Sequence, residues 1–96
     1  MPLTDTLNSV NDEASFLSFA RALLADRNEE IQMEHNDPSS PYSSGARGWQ
    51  NQTIEHYLEG AIEWAEATSF GLSQGLGKDN PWKRFAVFLY CGKIYE

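Results

Sequence analysis

The side chains of this 96-residue chain that carry catalytic or ligating chemistry are two histidines, one cysteine and fourteen carboxylates. Metal sites need closely grouped imidazole, thiolate or carboxylate ligands. His35 and His56 lie far apart in sequence, and neither His-x-x-x-His nor Cys-x-x-Cys occurs. Glu55 and His56 are adjacent, so on a helix they point in different directions, and both histidines read as surface residues. A nucleophile needs a base within hydrogen-bond reach and a group to orient that base. Cys91 stands between Tyr90 and Gly92 with no histidine nearby, the setting of a plain buried thiol. Gly71-x-x-x-Gly75-x-Gly77 has neither a preceding strand nor the full phosphate-loop pattern and reads as a connector. No catalytic residue, metal site or cofactor is expected.

The carboxylates are more informative. Glu55, Glu59, Glu63 and Glu66 recur at i, i+4, i+8 and i+11, which makes one stripe along a helix at about 100° per residue. No Lys or Arg occurs between Arg47 and Lys78, so the stripe has no i+4 counter-charge. Like charges at this spacing cost roughly 0.2–0.5 kcal/mol a pair. Two readings follow: a solvated face, paired or not with Lys83, Arg84 or Lys93, or a negative surface that docks a basic partner. A second run, Asp26, Glu29, Glu30, Glu34 and Asp37, contains only Arg27 as counter-charge and leads into a loop bearing Tyr42 and Trp49. Aromatics beside acids resemble the centre and rim of a protein interface, while Trp49 fits a core plug equally well. The candidate partner-binding residues are therefore Glu55, Glu59, Glu63 and Glu66, with Glu30, Glu34, Asp37 and Tyr42.

The balance of fourteen acids against seven bases gives a net charge of −7, which repels nucleic acid and anionic membrane alike. Ninety-six residues make a single domain, and aromatics at 12% argue against wholesale disorder. No apolar run approaches the roughly 18 residues of a membrane span. The first ten residues lack a basic start followed by an apolar stretch, and a lone cysteine excludes an intrachain disulfide. A cytoplasmic location is expected.

Three helices must position these groups. Phe16, Leu17, Ala20, Leu23 and Leu24 form one face of a helix over about 12–27, capped by Ser9 or Asn11. Ile54, Tyr57, Leu58, Ala61, Ile62 and Ala65 form the face of a second over about 53–67, capped by Asn51 or Thr53. A third begins at Asn80-Pro81, proline at the first helical position lacking only an N–H that would be unpaired anyway. Its inner residues are Trp82, Phe85, Ala86 and Leu89, and it reaches to about 95 despite Gly92. Between the first two, Ile31 and Met33 alternate with Glu30, Gln32 and Glu34, which fits a short strand or a frayed helical extension. Residues 36–48 and 69–80 are Gly-, Pro- and Ser-rich loops. The expected fold is mainly α, three or four helices with at most a minor strand, with Leu58, Ile62, Trp82 and Phe85 as the shared core of the last two helices.

Trp49-Gln50-Asn51, the Tyr57-Leu58-Glu59 helix with Trp64, Pro81-Trp82 with Phe85, Ala86 and Leu89, and the ending Gly92-Lys93-Ile94-Tyr95-Glu96 resemble a bacterial family of small acidic domains of unknown function. Such domains look like the immunity proteins of polymorphic or contact-dependent-inhibition toxin systems. The resemblance implies a cognate toxin, often a nuclease, whose active site the immunity protein covers, and no site residue transfers from it. A nuclease is basic where it grips phosphate, so an acidic partner complements it. The expected function is thus an immunity protein that binds a basic toxin domain, with no direct contact to nucleic acid or membrane. The alternatives are an interaction adaptor or regulator unrelated to toxins, and a small hydrolase working through two carboxylates.

Overall fold

A computed structural model describes residues 3–36 and 47–95. In chain order it has α1 (Leu3–Asn8), α2 (Glu13–Asn36), α3 (Ile54–Thr68), a 3-10 turn (Leu72–Gln74) and α4 (Pro81–Ile94), with no strand among the described residues. The expected mainly α domain is what forms, and the segment near Ile31, read as a short strand or a helical extension, is helix.

Asp12, rather than Ser9 or Asn11, caps α2. Its carboxylate accepts the Ser15 N–H at 2.8 Å, and the Ser15 hydroxyl oxygen accepts the Asn11 and Asp12 N–H groups at 2.9 and 3.0 Å. This reciprocal arrangement satisfies donors that a helix start leaves free. The Ser15 hydroxyl, donating to Asp12 Oδ1 at 2.7 Å, and then the Ser15 N–H hold the Asp12 carboxyl below its ordinary value. α2 then runs 24 residues without a break, straight through the alternating segment Glu30–Glu34. Helical spacing wins there because Phe19, Leu23 and Glu30, at i, i+4 and i+11, all turn inward.

α3 is capped by Thr53, whose hydroxyl accepts the His56 N–H at 3.2 Å. It ends at Ser69 in the left-handed region, where the cap N–H reaches the Ala65 carbonyl. Asn80 caps α4 by accepting the Lys83 N–H at 3.1 Å, with Pro81 in the first turn. α1 has only six residues, too few to hold a helix by propensity. It persists because Leu7 and Val10 enter the core and Asn80 Nδ2 donates to the Val10 carbonyl at 3.1 Å.

α4 organises the domain, because α1, α2 and α3 all pack on it while α2 and α3 do not pack on each other. The core gathers Leu7, Val10, Phe19, Leu23, Trp49 and Ala86. The expected core of Leu58, Ile62, Trp82 and Phe85 is not the one that forms. Leu58, Ile62 and Phe85 are each about half exposed, and Trp82 is half-buried against Phe16, ring centroids 5.4 Å apart. α3 instead buries Gly60, Ala61, Trp64 and Thr68, a face about a quarter-turn from its most apolar one at 100° per residue. The reason is close approach. A Cβ on Gly60 would lie 2.6 Å from Asn51 Nδ2 and 2.7 Å from the Tyr95 carbonyl oxygen; one on Gly92 would lie 2.8 Å from the Tyr57 ring. Small residues let α3 and α4 meet, and the larger Leu and Ile are turned outward.

Candidate functional site

The two acidic runs have opposite fates. Glu55, Glu59, Glu63 and Glu66 are all exposed on α3, and none forms an ion pair among the described residues. The three α4 cations named above as counter-charges are engaged elsewhere. Lys93 pairs with Asp26 at 2.8 Å, Arg84 Nε donates to the Phe70 carbonyl at 3.0 Å, and Lys83 Nζ donates to the Asn8 carbonyl at 3.4 Å.

The α2 run is an internal bracket. Glu30 is 0% exposed. One oxygen accepts the backbone N–H groups of Arg47 and Trp49 at 3.1 and 3.2 Å, and the other accepts from Arg27 Nη1 at 2.8 Å. A buried carboxylate costs several kcal/mol unless it is paired and hydrogen-bonded, and here three donors compensate it. Asp26 Oδ2 accepts both Trp49 Nε1 and Lys93 Nζ at 2.8 Å, and Glu29 pairs with Arg47. Arg27 and Lys93 also stand 5.3 and 5.6 Å from the Trp49 ring centroid, within cation–π range. Trp49 is therefore a buried core plug, and two of the run's counter-charges, Arg47 and Lys93, come from outside it, beside Arg27 within it. Glu30, expected at a partner surface, is corrected to an interior residue, because a buried oxygen cannot meet another protein. Glu34 is half-buried and has its own partner within the chain. Asp37 and Tyr42 lie outside the described residues.

The segment after Trp49 closes on the end of α4. Gln50 and Asn51 donate their N–H groups to the Lys93 carbonyl at 3.0 and 3.3 Å, and Asn51 Nδ2 donates to the Gly92 and Tyr95 carbonyls at 2.9 and 2.7 Å. Helix C-termini leave carbonyls without intrahelical donors, and Asn51 supplies them. The Trp-x-Asn and Gly-Lys-Ile-Tyr stretches quoted above thus meet in space.

The sequence pattern of DUF7660, described as a family of unknown function, matches residues 12–96. The chain belongs to DUF7660. No curated protein matches it, and no solved structure does either. The match reaches back to the start of α2, so this DUF7660 domain includes the whole Glu30 bracket as well as the half from Trp49 onward that carried the resemblance.

Cys91 is half-buried, and burial pushes its thiol from an ordinary 9.0 up to about 11. At neutral pH it is a protonated thiol, and the thiolate is the nucleophile. Tyr57, whose hydroxyl donates to the Leu89 carbonyl at 2.7 Å, is raised to about 12, first by burial and then by Cys91. Among the described residues no three His, Cys, Asp or Glu side chains are grouped to hold a metal, and no helix is long and apolar enough to cross a membrane.

Sequence reasoning missed one surface. Leu24 and Ile54, read as members of apolar helix faces, and Leu58, read as core, are 61%, 78% and 47% exposed and line one open groove. Their signal was present as an apolar stripe wider than three helices can cover.

Proposed function

We propose that this DUF7660 domain is a non-catalytic binding protein that docks a basic protein through the exposed acidic row of α3, and that it acts as an immunity protein covering the active site of a cognate toxin. The observation that carries the reading is the row itself: Glu55, Glu59, Glu63 and Glu66 exposed, with the α4 cations committed elsewhere. Unneutralised like charge on one helix face costs stability, and a cationic partner recovers that cost and is steered in quickly. A nuclease is the partner class favoured, since its substrate-binding surface is cationic.

The test is co-purification with the product of the adjacent gene, followed by a protection assay against its activity. The double variant Glu59→Lys, Glu63→Lys is expected to keep its fold, lose association rate and lose the salt dependence of association, because exposed charges are screened within about 8–10 Å at physiological ionic strength. Unchanged association rate and salt dependence in that variant would reduce the row to a solvated face.

A further inference from the structure

Of the apolar rows left uncovered on α2 and α3, Leu24, Ile54 and Leu58 face the same space. On α2, Leu17, Leu24 and Ile31 are exposed at i, i+7 and i+14; on α3, Ile54, Leu58 and Ile62 are exposed at i, i+4 and i+8. Both helices lean on α4 and not on each other. Between them lies an open groove of about 480 Å³ lined by Ala20 and Leu24 of α2, Ile54 and Leu58 of α3, and Tyr57 and Leu89. Such a pair of rows is what a four-helix bundle presents when one member is missing, since helices pack by burying i, i+3/i+4 ridges against one another.

Charge identifies the missing member. On α3, Glu55 and Glu59 stand one position after Ile54 and Leu58, about 100° round the helix, so the acidic row borders the α3 wall of the groove. Arg27, the one cation lining the groove among the described residues, is bound to Glu30 and donates to the Gln52 carbonyl at 3.0 Å. An occupant is therefore met by apolar side chains in the groove and by unneutralised carboxylates along one edge. A second copy of this chain is a poor fit, because it carries the same −7 charge and sets like charge against like.

We infer that the α2–α3 groove is a docking site for one basic amphipathic helix of a partner protein, its apolar side seated between Leu24 and Leu58 and its lysines or arginines against Glu55 and Glu59. The inference rests on the acidic-binder reading and specifies how that binder engages. Recognition is of the helix-in-groove kind, with anchors at i, i+3/i+4 and i+7.

The probe is a fluorescent peptide of about five turns, roughly 18 residues at 3.6 per turn, with leucine on one face and lysine elsewhere. Two companions accompany it, one with every leucine replaced by serine and one with every lysine replaced by glutamate. The leucine–lysine peptide should bind the full chain, with both companions weaker by roughly ten-fold or more, since a few apolar anchors carry most of such an interface. Leu24→Asp with Leu58→Asp should weaken binding comparably without changing helicity; Ile54→Asp alone, at the most exposed of the three, repeats the test if the double variant unfolds. Equal binding of the leucine–lysine and serine–lysine peptides overturns the groove and leaves the acidic-binder reading standing. Binding of neither cationic peptide overturns both. A wild-type dimer that Leu24→Asp dissociates, seen by sedimentation, gives the groove to a second copy and overturns the inference.

Discussion

Two stretches of this domain are almost equally acidic, and the fold uses them in opposite ways. Asp26, Glu29 and Glu30 sit where Arg27, Arg47, Lys93 and two backbone N–H groups converge, and they tie α2, the Trp49 segment and α4 together. Glu55, Glu59, Glu63 and Glu66 sit on the outer side of α3 and tie nothing. Charge content alone therefore says little about role. What separates a structural carboxylate from an exposed one is whether donors from distant parts of the chain are folded onto it. In the first region a lost charge is a lost joint; in the second it is a change of surface potential.

The sharpest break of that comparison is Glu30→Ala. It removes the acceptor of Arg27 and of two backbone N–H groups in one step, and is expected to cost about 3–5 kcal/mol, the range for breaking a buried pair. Glu63→Ala should stay within about 0.5 kcal/mol, as surface changes do. Chemical denaturation of the two variants side by side measures the contrast, and comparable losses would mean that the row on α3 is structural too.

The apolar residues divide in the same manner. Leu23 is buried and Leu58 is 47% exposed. Leu23→Ala should cost about 2–5 kcal/mol, whereas Leu58→Ala should cost less than half as much, because most of a transfer gain needs full burial. A melting-temperature drop as large for Leu58→Ala as for Leu23→Ala would place α3 in a different rotation on α4.

Smaller, and opposite in sign, is the effect of Glu59→Lys. It turns the repulsive pairs with Glu55 and Glu63 into attractive ones, and should stabilise the free domain by roughly 0.2–0.5 kcal/mol a pair at low salt. The gain should fade as salt is added; a salt-independent change would point to packing instead.

The last effect is alkaline and belongs to the interior seam between α3 and α4. Cys91 and Tyr57 have folded values raised to about 11 and about 12, so the folded state holds these protons longer than the unfolded one. Stability is then intact below the ordinary values of 9.0 and 10.0 and declines as pH rises from about 9 toward 12. Cys91→Ala should flatten the lower part of that decline in a series of melts.

The existence of α2, α3 and α4 was legible in the sequence, and that of the six-residue α1 was not. The Thr53 and Asn80 caps, Pro81 and the apolar periodicity around Phe16 and around Leu58 are local signals, and a local signal survives whatever the rest of the chain does. The helical class of the domain and the exposed line of Glu55, Glu59, Glu63 and Glu66 followed from the same spacing. Tertiary structure decided the rest. The most apolar face of α3 is not its buried face, because Gly60 and Ala61 permit an approach to the Asn51–Tyr95 clamp that Leu58 and Ile62 would block. Glu30 is interior because Arg47 and Trp49, 17 and 19 positions away, bring their N–H groups to it. Periodicity measures how apolar each direction of a helix is. Which direction is covered depends on where small side chains and distant donors let two backbones meet, and no local pattern encodes that.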